Sequence, residues 1–153
     1  MSHFMGTFQA KLDSKGRVFI PAAFRAVLRG GADEGDLQAI VMLPHFYDDC
    51  VQAMTQEQYD ATCAVVEEMP KINRDRDDMI YALYSHATKV APDRDGRIVL
   101  PESVAMLAGI TDQFTFVGAR ERFEIWEPEA FAARYRLARA RNNALGQAPR
   151  SAA

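Results

Sequence analysis

Cysteine is scarce in this chain, and the two present, Cys50 and Cys63, both fall in the first half with no counterparts later. That distribution excludes a disulfide framework and a Cys-x-x-Cys metal site, and both residues read as free thiols of the core rather than nucleophiles. Histidine is equally sparse, and His3, His45 and His86 have no partner at metal-ligand spacing. Neither Gly-x-x-x-x-Gly-Lys nor Gly-x-Gly-x-x-Gly occurs, so a phosphate-cradling nucleotide loop is excluded. No Ser-His-Asp or Cys-His set is shared by the two halves. The protein is therefore expected not to be an enzyme, with no cofactor, no metal and no small-molecule substrate. No apolar run approaches the roughly 18 residues of a membrane helix, and the opening residues lack the charged-then-apolar order of a signal peptide. A cytoplasmic protein without membrane contact is the expectation.

What the chain does have is material for one ordinary domain, with 48% hydrophobic residues among 153. Its net charge of −3 argues against a generic nucleic-acid binder, yet the charge is arranged in blocks. Residues 1–31 hold five basic side chains (Lys11, Lys15, Arg17, Arg25, Arg29) against Asp13 alone. Residues 32–70 hold nine acidic side chains and no Lys or Arg, and from Pro128 onward Arg134, Arg136, Arg139, Arg141 and Arg150 face only Glu129.

The dominant feature is a repeat. Asp13-Ser14-Lys15-Gly16-Arg17-Val18-Phe19-Ile20-Pro21 returns 80 residues later as Asp93-Arg94-Asp95-Gly96-Arg97-Ile98-Val99-Leu100-Pro101. Units this small seldom bury a face alone and stack or intertwine to share a core. After each Pro comes a short helix, 22–28 and 102–108, with Pro at the start where its missing N–H costs nothing. Two apolar runs follow in each copy, 37–43 with 50–54 and 114–118 with 123–126, and read as paired strands. A helix then closes each copy. Thr55 and Gln58 form a capping box ahead of an apolar stripe at Tyr59, Cys63, Val66 and Met69, and Pro128 opens a helix bearing Phe131, Tyr135 and Ala138. Phe123, Trp126 and Phe131 read as core. Residues 4–70 are the first repeat, 71–87 a connecting helix, 88–143 the second repeat and 144–153 a disordered tail. With no Ala/Pro/Ser linker between the copies, the expectation is one intertwined α+β domain around a small β-barrel or sandwich.

In each turn, Asp accepts backbone N–H groups, Gly supplies a positive φ, and Arg emerges on the returning strand. The spacing lets Asp13 reach Arg17 and Asp93 reach Arg97, steadying each guanidinium. A steadied, half-exposed Arg suits bidentate recognition of phosphate or guanine. It equally suits a purely structural ion pair. The turn chemistry leaves both readings open.

The paired Asp-x-x-x-Arg motifs, each leading into a short apolar strand, Pro, helix, hairpin and helix over about residues 4–143, resemble the MraZ family. This is the double-repeat relative of AbrB-type transcription factors. The resemblance implies two pseudo-symmetric repeats forming one swapped-hairpin β-barrel with outer helices. It also implies a ring-shaped homo-oligomer, cytoplasmic and nucleoid-associated, that binds double-stranded promoter DNA at direct repeats and regulates the division and cell-wall gene cluster. Carried onto this sequence, the DNA-facing residues are Lys15 and Arg17 in the first turn and Arg94 and Arg97 in the second, with Lys11 and Arg25 as flanking helpers. Asp13 and Asp93, with Gly16 and Gly96, brace the arginines. Asp95 stands where the first copy has Lys15, so the two turns are expected to contact DNA unequally, the first more strongly. The alternative is a protein-interaction module, such as an AbrB-fold antitoxin-like protein. Those normally carry one copy and a disordered neutralising tail.

Overall fold

A computed structural model of the chain describes residues 3–32 and 35–146. The expected tail therefore lies largely outside the described residues. Among the described residues the short apolar runs form eight strands: β1 (Thr7–Lys11), β2 (Arg17–Phe19), β3 (Ile40–Pro44), β4 (Val51–Thr55), β5 (Thr88–Val90), β6 (Arg97–Val99), β7 (Gln113–Ala119) and β8 (Arg122–Trp126). The helices are α1 (Ala22–Leu28), α2 (Gln56–Cys63), α3 (Arg74–Ile80), α4 (Glu102–Leu107) and α5 (Pro128–Ala144).

The strands form a six-stranded antiparallel sheet in the order β1-β7-β8-β4-β3-β5 and a separate two-stranded ribbon, β2 with β6. The fold is α+β, as its residues imply. The sheet is open rather than closed, since its two edge strands, β1 and β5, do not pair with each other among the described residues.

The two copies exchange strands. β1 of the first copy pairs with β7 of the second, β5 of the second pairs with β3 of the first, and the ribbon takes one strand from each. Residue-by-residue alternation explains the burial. Ile40, Met42, Val51, Ala53, Phe114, Phe116, Phe123 and Ile125 turn to one face of the sheet and share a core with Val18, Ile20, Ile98 and Leu100 below the ribbon. Phe24 of α1 is fully buried in that core, edge-on to Phe4, Phe8 and Phe116. The alternate residues turn to the other face. There Val41, Leu43 and Met54 pack with Tyr59, Cys63, Val66 and Leu83, while Cys50, Val117 and Trp126 pack under Phe131 of α5. Trp126 and Phe123 are core residues as read from the sequence, but on opposite faces.

Two local readings are refined by the structure. Thr55 Oγ1 accepts the Gln58 N–H at 3.2 Å, but the Gln58 amide donates forward to Thr62 Oγ1, so only half of the capping box forms. The connecting segment is α3 followed by a π-helical turn at Tyr81–Ser85, where the Tyr59 hydroxyl donates to the Leu83 carbonyl at 2.7 Å. Both cysteines are free and buried, and burial pushes the Cys50 thiol well above its ordinary range, which makes it a poor nucleophile.

Candidate nucleic-acid interface

Each repeat turn is closed by the same set of short-range bonds. Asp13 Oδ1 accepts the N–H groups of Lys15 and Arg17 at 2.8 and 2.9 Å, and its Oδ2 accepts Arg17 Nε at 2.8 Å. Asp93 does the same with Asp95, Arg97 and Arg97 Nε, all at 2.9 Å. Gly16 and Gly96 sit at φ of 75° and 85°, which the tight return requires. Each turn is also held by the other copy: the Gly96 carbonyl accepts the Ile20 N–H at 3.0 Å and the Gly16 carbonyl accepts the Leu100 N–H at 3.1 Å. The turns therefore lie at opposite ends of one short ribbon, each beside the end of the other copy's strand.

Donated N–H bonds, that of Arg17 foremost, hold the Asp13 carboxyl down at about 2 from an ordinary 3.8, and Asp93 is lowered for the same reason. A carboxylate depressed in the folded state stabilises above its unfolded value and loses that contribution as pH falls through the folded one. The first turn is thus expected to hold its brace throughout the neutral and mildly acid range and to release Arg17 only near pH 2. Carbon-detected NMR of the Asp13 carboxyl checks this; a midpoint near 4 would mean the bonds do not form.

The two arginines are not equivalent. Arg97 gives Nε to Asp93, gives Nη2 to Asp95 at 3.1 Å, and lies over the Phe19 ring with its central carbon 5.7 Å from the centroid. Arg17 gives only Nε to Asp13; among the described residues its two terminal nitrogens have no partner. Lys15, where the second copy has Asp95, is exposed and leaves the first turn cationic. A guanidinium oriented by one carboxylate with both end nitrogens open is shaped for a bidentate acceptor such as phosphate or a guanine edge.

The remaining basic candidates are placed differently. Arg25 crosses from α1 to the second turn, where Nη1 donates to the Ile20 carbonyl and its methylenes cover Gly96. It is half-buried and acts on the opposite turn rather than beside its own. Its counterpart 80 residues on is Ala105, and nothing lies within 4 Å of the position a Gly16 side chain would occupy. Lys11 is exposed and 4.0 Å from Asp112. Arg94 is exposed at the rim of a depression of about 320 Å³ that it shares with Arg29, Asp36 and Leu37. In α5, Arg134 is bound to Asp48 at 3.1 Å, and Arg136, Arg139 and Arg141 are exposed.

This asymmetry makes a measurable difference at the glycines. Either substitution to Ala meets left-handed strain of roughly 1–2 kcal/mol. At Gly96 the new carbon would also come within 2.5 Å of Arg25 Cδ and displace that side chain. Denaturant titrations are expected to show Gly96→Ala coupled to Arg25→Ala, and Gly16→Ala independent of it; equal independence would remove Arg25 from the second turn.

Sequence reasoning did not foresee two participants. Phe19 belongs to the short apolar strand that follows the first turn, yet Val18 is buried and Phe19 is 58% exposed beneath Arg97. Asp95 is the second acceptor for Arg97, beyond its being an anion where Lys15 stands. Period-two alternation within the three-residue strand was the available signal for Phe19. His45, by contrast, is a turn residue, its Nδ1 accepting the Asp48 N–H at 3.1 Å, and burial lowers its pKa.

Comparison with known proteins gives one consistent result. The family model described as "MraZ protein, putative antitoxin-like" matches residues 3–43 and 83–146, which include both turns. A protein of Gluconobacter oxydans is 37% identical over 152 residues, covering 99% of this chain and 92% of its own. One of Gluconacetobacter diazotrophicus is 40% identical over 145 residues, 95% of this chain and 91% of that one. One of Caulobacter vibrioides is 37% identical over 130 residues, 85% and 80% respectively. All three carry the name transcriptional regulator MraZ.

Proposed function

The chain belongs to the MraZ family, and from that premise we propose that it is a sequence-specific DNA-binding transcriptional regulator, cytoplasmic and nucleoid-associated. The observation that carries the reading is the exposed β2/β6 ribbon with a braced arginine at each turn and one of them, Arg17, open at both end nitrogens. Lys15 and Arg17 make the principal contacts. Arg94 and Arg97 make weaker ones, because Asp93 and Asp95 already share the Arg97 guanidinium. Lys11 flanks the first turn, and Arg25 serves as a support of the second. No catalytic step belongs to this reading. The strand exchange between the copies supports the swapped-hairpin reading, with the ribbon lying across the core from the open sheet.

One protomer offers only a few phosphate contacts, each weak by itself. Affinity therefore comes from a ring of identical protomers presenting the same turn to direct repeats about one helical turn apart, where each later contact forms at high effective concentration. The acidic side chains of α2 and the turn after it, Glu57, Asp60, Glu67 and Glu68, belong to the layer packed on the sheet face opposite the ribbon, away from the duplex in this reading, whereas Asp36 lies beside Arg94. The target is the promoter of the division and cell-wall gene cluster.

Solution mass, measured with and without a duplex carrying the DNA upstream of the protein's own gene, tests this. The expected result is a homo-oligomer that gains the mass of the duplex. A monomer indifferent to that DNA overturns the reading, and a stoichiometric complex with another protein and no DNA affinity replaces it with an interaction module.

A further inference from the structure

The outward face of the ribbon carries two apolar side chains between its arginines. Val18 and Ile98 point into the core, so Arg17, Phe19, Arg97 and Val99 share the opposite face. Phe19 is 58% exposed and Val99 56%. They occupy matched positions of the repeat, 80 residues apart, and the register sets Arg17 opposite Val99 and Phe19 opposite Arg97. A lone exposed apolar residue needs no explanation. Two at related positions, each facing a guanidinium across the ribbon, form a pattern.

The major groove of B-form DNA presents a matching pattern. It admits a two-stranded ribbon, and its base edges carry acceptors at guanine N7 and O6 and one exposed apolar group, the C5-methyl of thymine. Opposed residues of an antiparallel pair have Cα atoms roughly 4.5–5.5 Å apart. Successive nucleotides of a strand lie about 3.4 Å apart along the axis. An arginine and its cross-strand apolar neighbour therefore reach base pairs one or two steps apart. Phe19 has one ring face taken by Arg97, which removes the option of wedging that ring between stacked bases and leaves its edge and outer face for a methyl contact.

We infer that Val99 and Phe19 read thymine C5-methyl groups beside the base edges approached by Arg17 and Arg97, making them specificity-determining residues of the ribbon. The inference rests on the DNA-binding reading above and adds that part of the sequence recognition is apolar. Val99, opposite the open Arg17, carries the larger share.

The test uses the full chain and two duplexes of the DNA upstream of its gene, one normal and one with every thymine replaced by deoxyuridine, which removes the methyl groups and keeps the base pairing. The natural protein is expected to bind the uracil duplex about fourfold more weakly per methyl contacted. The Phe19→Ala/Val99→Ala variant is expected to bind both duplexes equally, at the weaker affinity, with its solution mass unchanged. Equal binding of both duplexes by the natural protein overturns the methyl contact alone. A variant that still prefers the thymine duplex does the same. A variant of altered mass assigns this face to contacts between copies and also overturns the inference. Failure of the natural protein to bind the thymine duplex overturns the DNA reading itself.

Discussion

Arg17→Ala is expected to abolish the shift of upstream DNA in a gel at protein concentrations that saturate the natural chain, while solution mass stays unchanged. The loss follows from the geometry of the first turn. Arg17 is held by Asp13 through Nε and offers both end nitrogens outward, so truncation removes a bidentate contact worth about 1–3 kcal/mol per base read. In an assembly that repeats this turn, the loss multiplies across the protomers bound together. Assembly is expected to be unaffected because the side chain is partly exposed and its one side-chain partner among the described residues is Asp13, four residues away. Arg97→Ala is expected to weaken binding less. Its guanidinium is already divided between Asp93, Asp95 and the Phe19 ring, so less of it is available to DNA. Equal losses from the two substitutions would show that the turns contact DNA equally, and unchanged affinity in Arg17→Ala would remove this turn from the interface.

Phe24→Ala is expected to produce the largest loss of stability of any single truncation in α1. The side chain is fully buried, with ring centroids 5.4 Å from Phe4 and Phe8, 6.1 Å from Phe116 and 5.1 Å from Phe123. Removing a ring from such a site costs about 3–5 kcal/mol, against a total stability of about 5–15 kcal/mol for a domain. The effect spreads across both copies, because Phe24 and Phe8 belong to the first and Phe116 and Phe123 to the second. Val104, the matching position in α4, is 2% exposed but has only two methyl groups to lose, so Val104→Ala is expected to cost roughly 2 kcal/mol. Urea titrations of the three proteins give the ranking. A Phe24→Ala midpoint close to that of the natural chain would mean that this aromatic cluster does not hold the copies together.

The elements were legible wherever the signal was local. α1 occupies 22–28 as the Pro-to-Gly interval implies, and the helix opened by Pro128 runs to Ala144. The turn braces were legible too, since a carboxylate reaching residues two and four positions on is a matter of spacing. The stripe at Tyr59, Cys63, Val66 and Met69 was half misread: the first three are buried together, but the α-helix ends at Cys63 and tightens to a 3₁₀ turn at Ala64–Glu68. Arg25 was placed beside its own turn by proximity in sequence, whereas it reaches the other copy's glycine. No local pattern encodes that reach.

By itself, the sequence determined that there are two copies of one unit, that each carries an Asp-braced Arg at a glycine turn, and that position 95 makes the second turn the less cationic. These depend on atoms within about four residues of one another, which spacing specifies. Only the tertiary structure decided which strand of one copy pairs with which of the other, that Arg25 covers Gly96 but leaves Gly16 open, and that Phe19 lies exposed beneath Arg97. The physical reason is register: a one-residue slip between β2 and β6 would turn Phe19 inward and Val18 outward, and what prevents it is the shared core beneath the ribbon, to which both copies contribute.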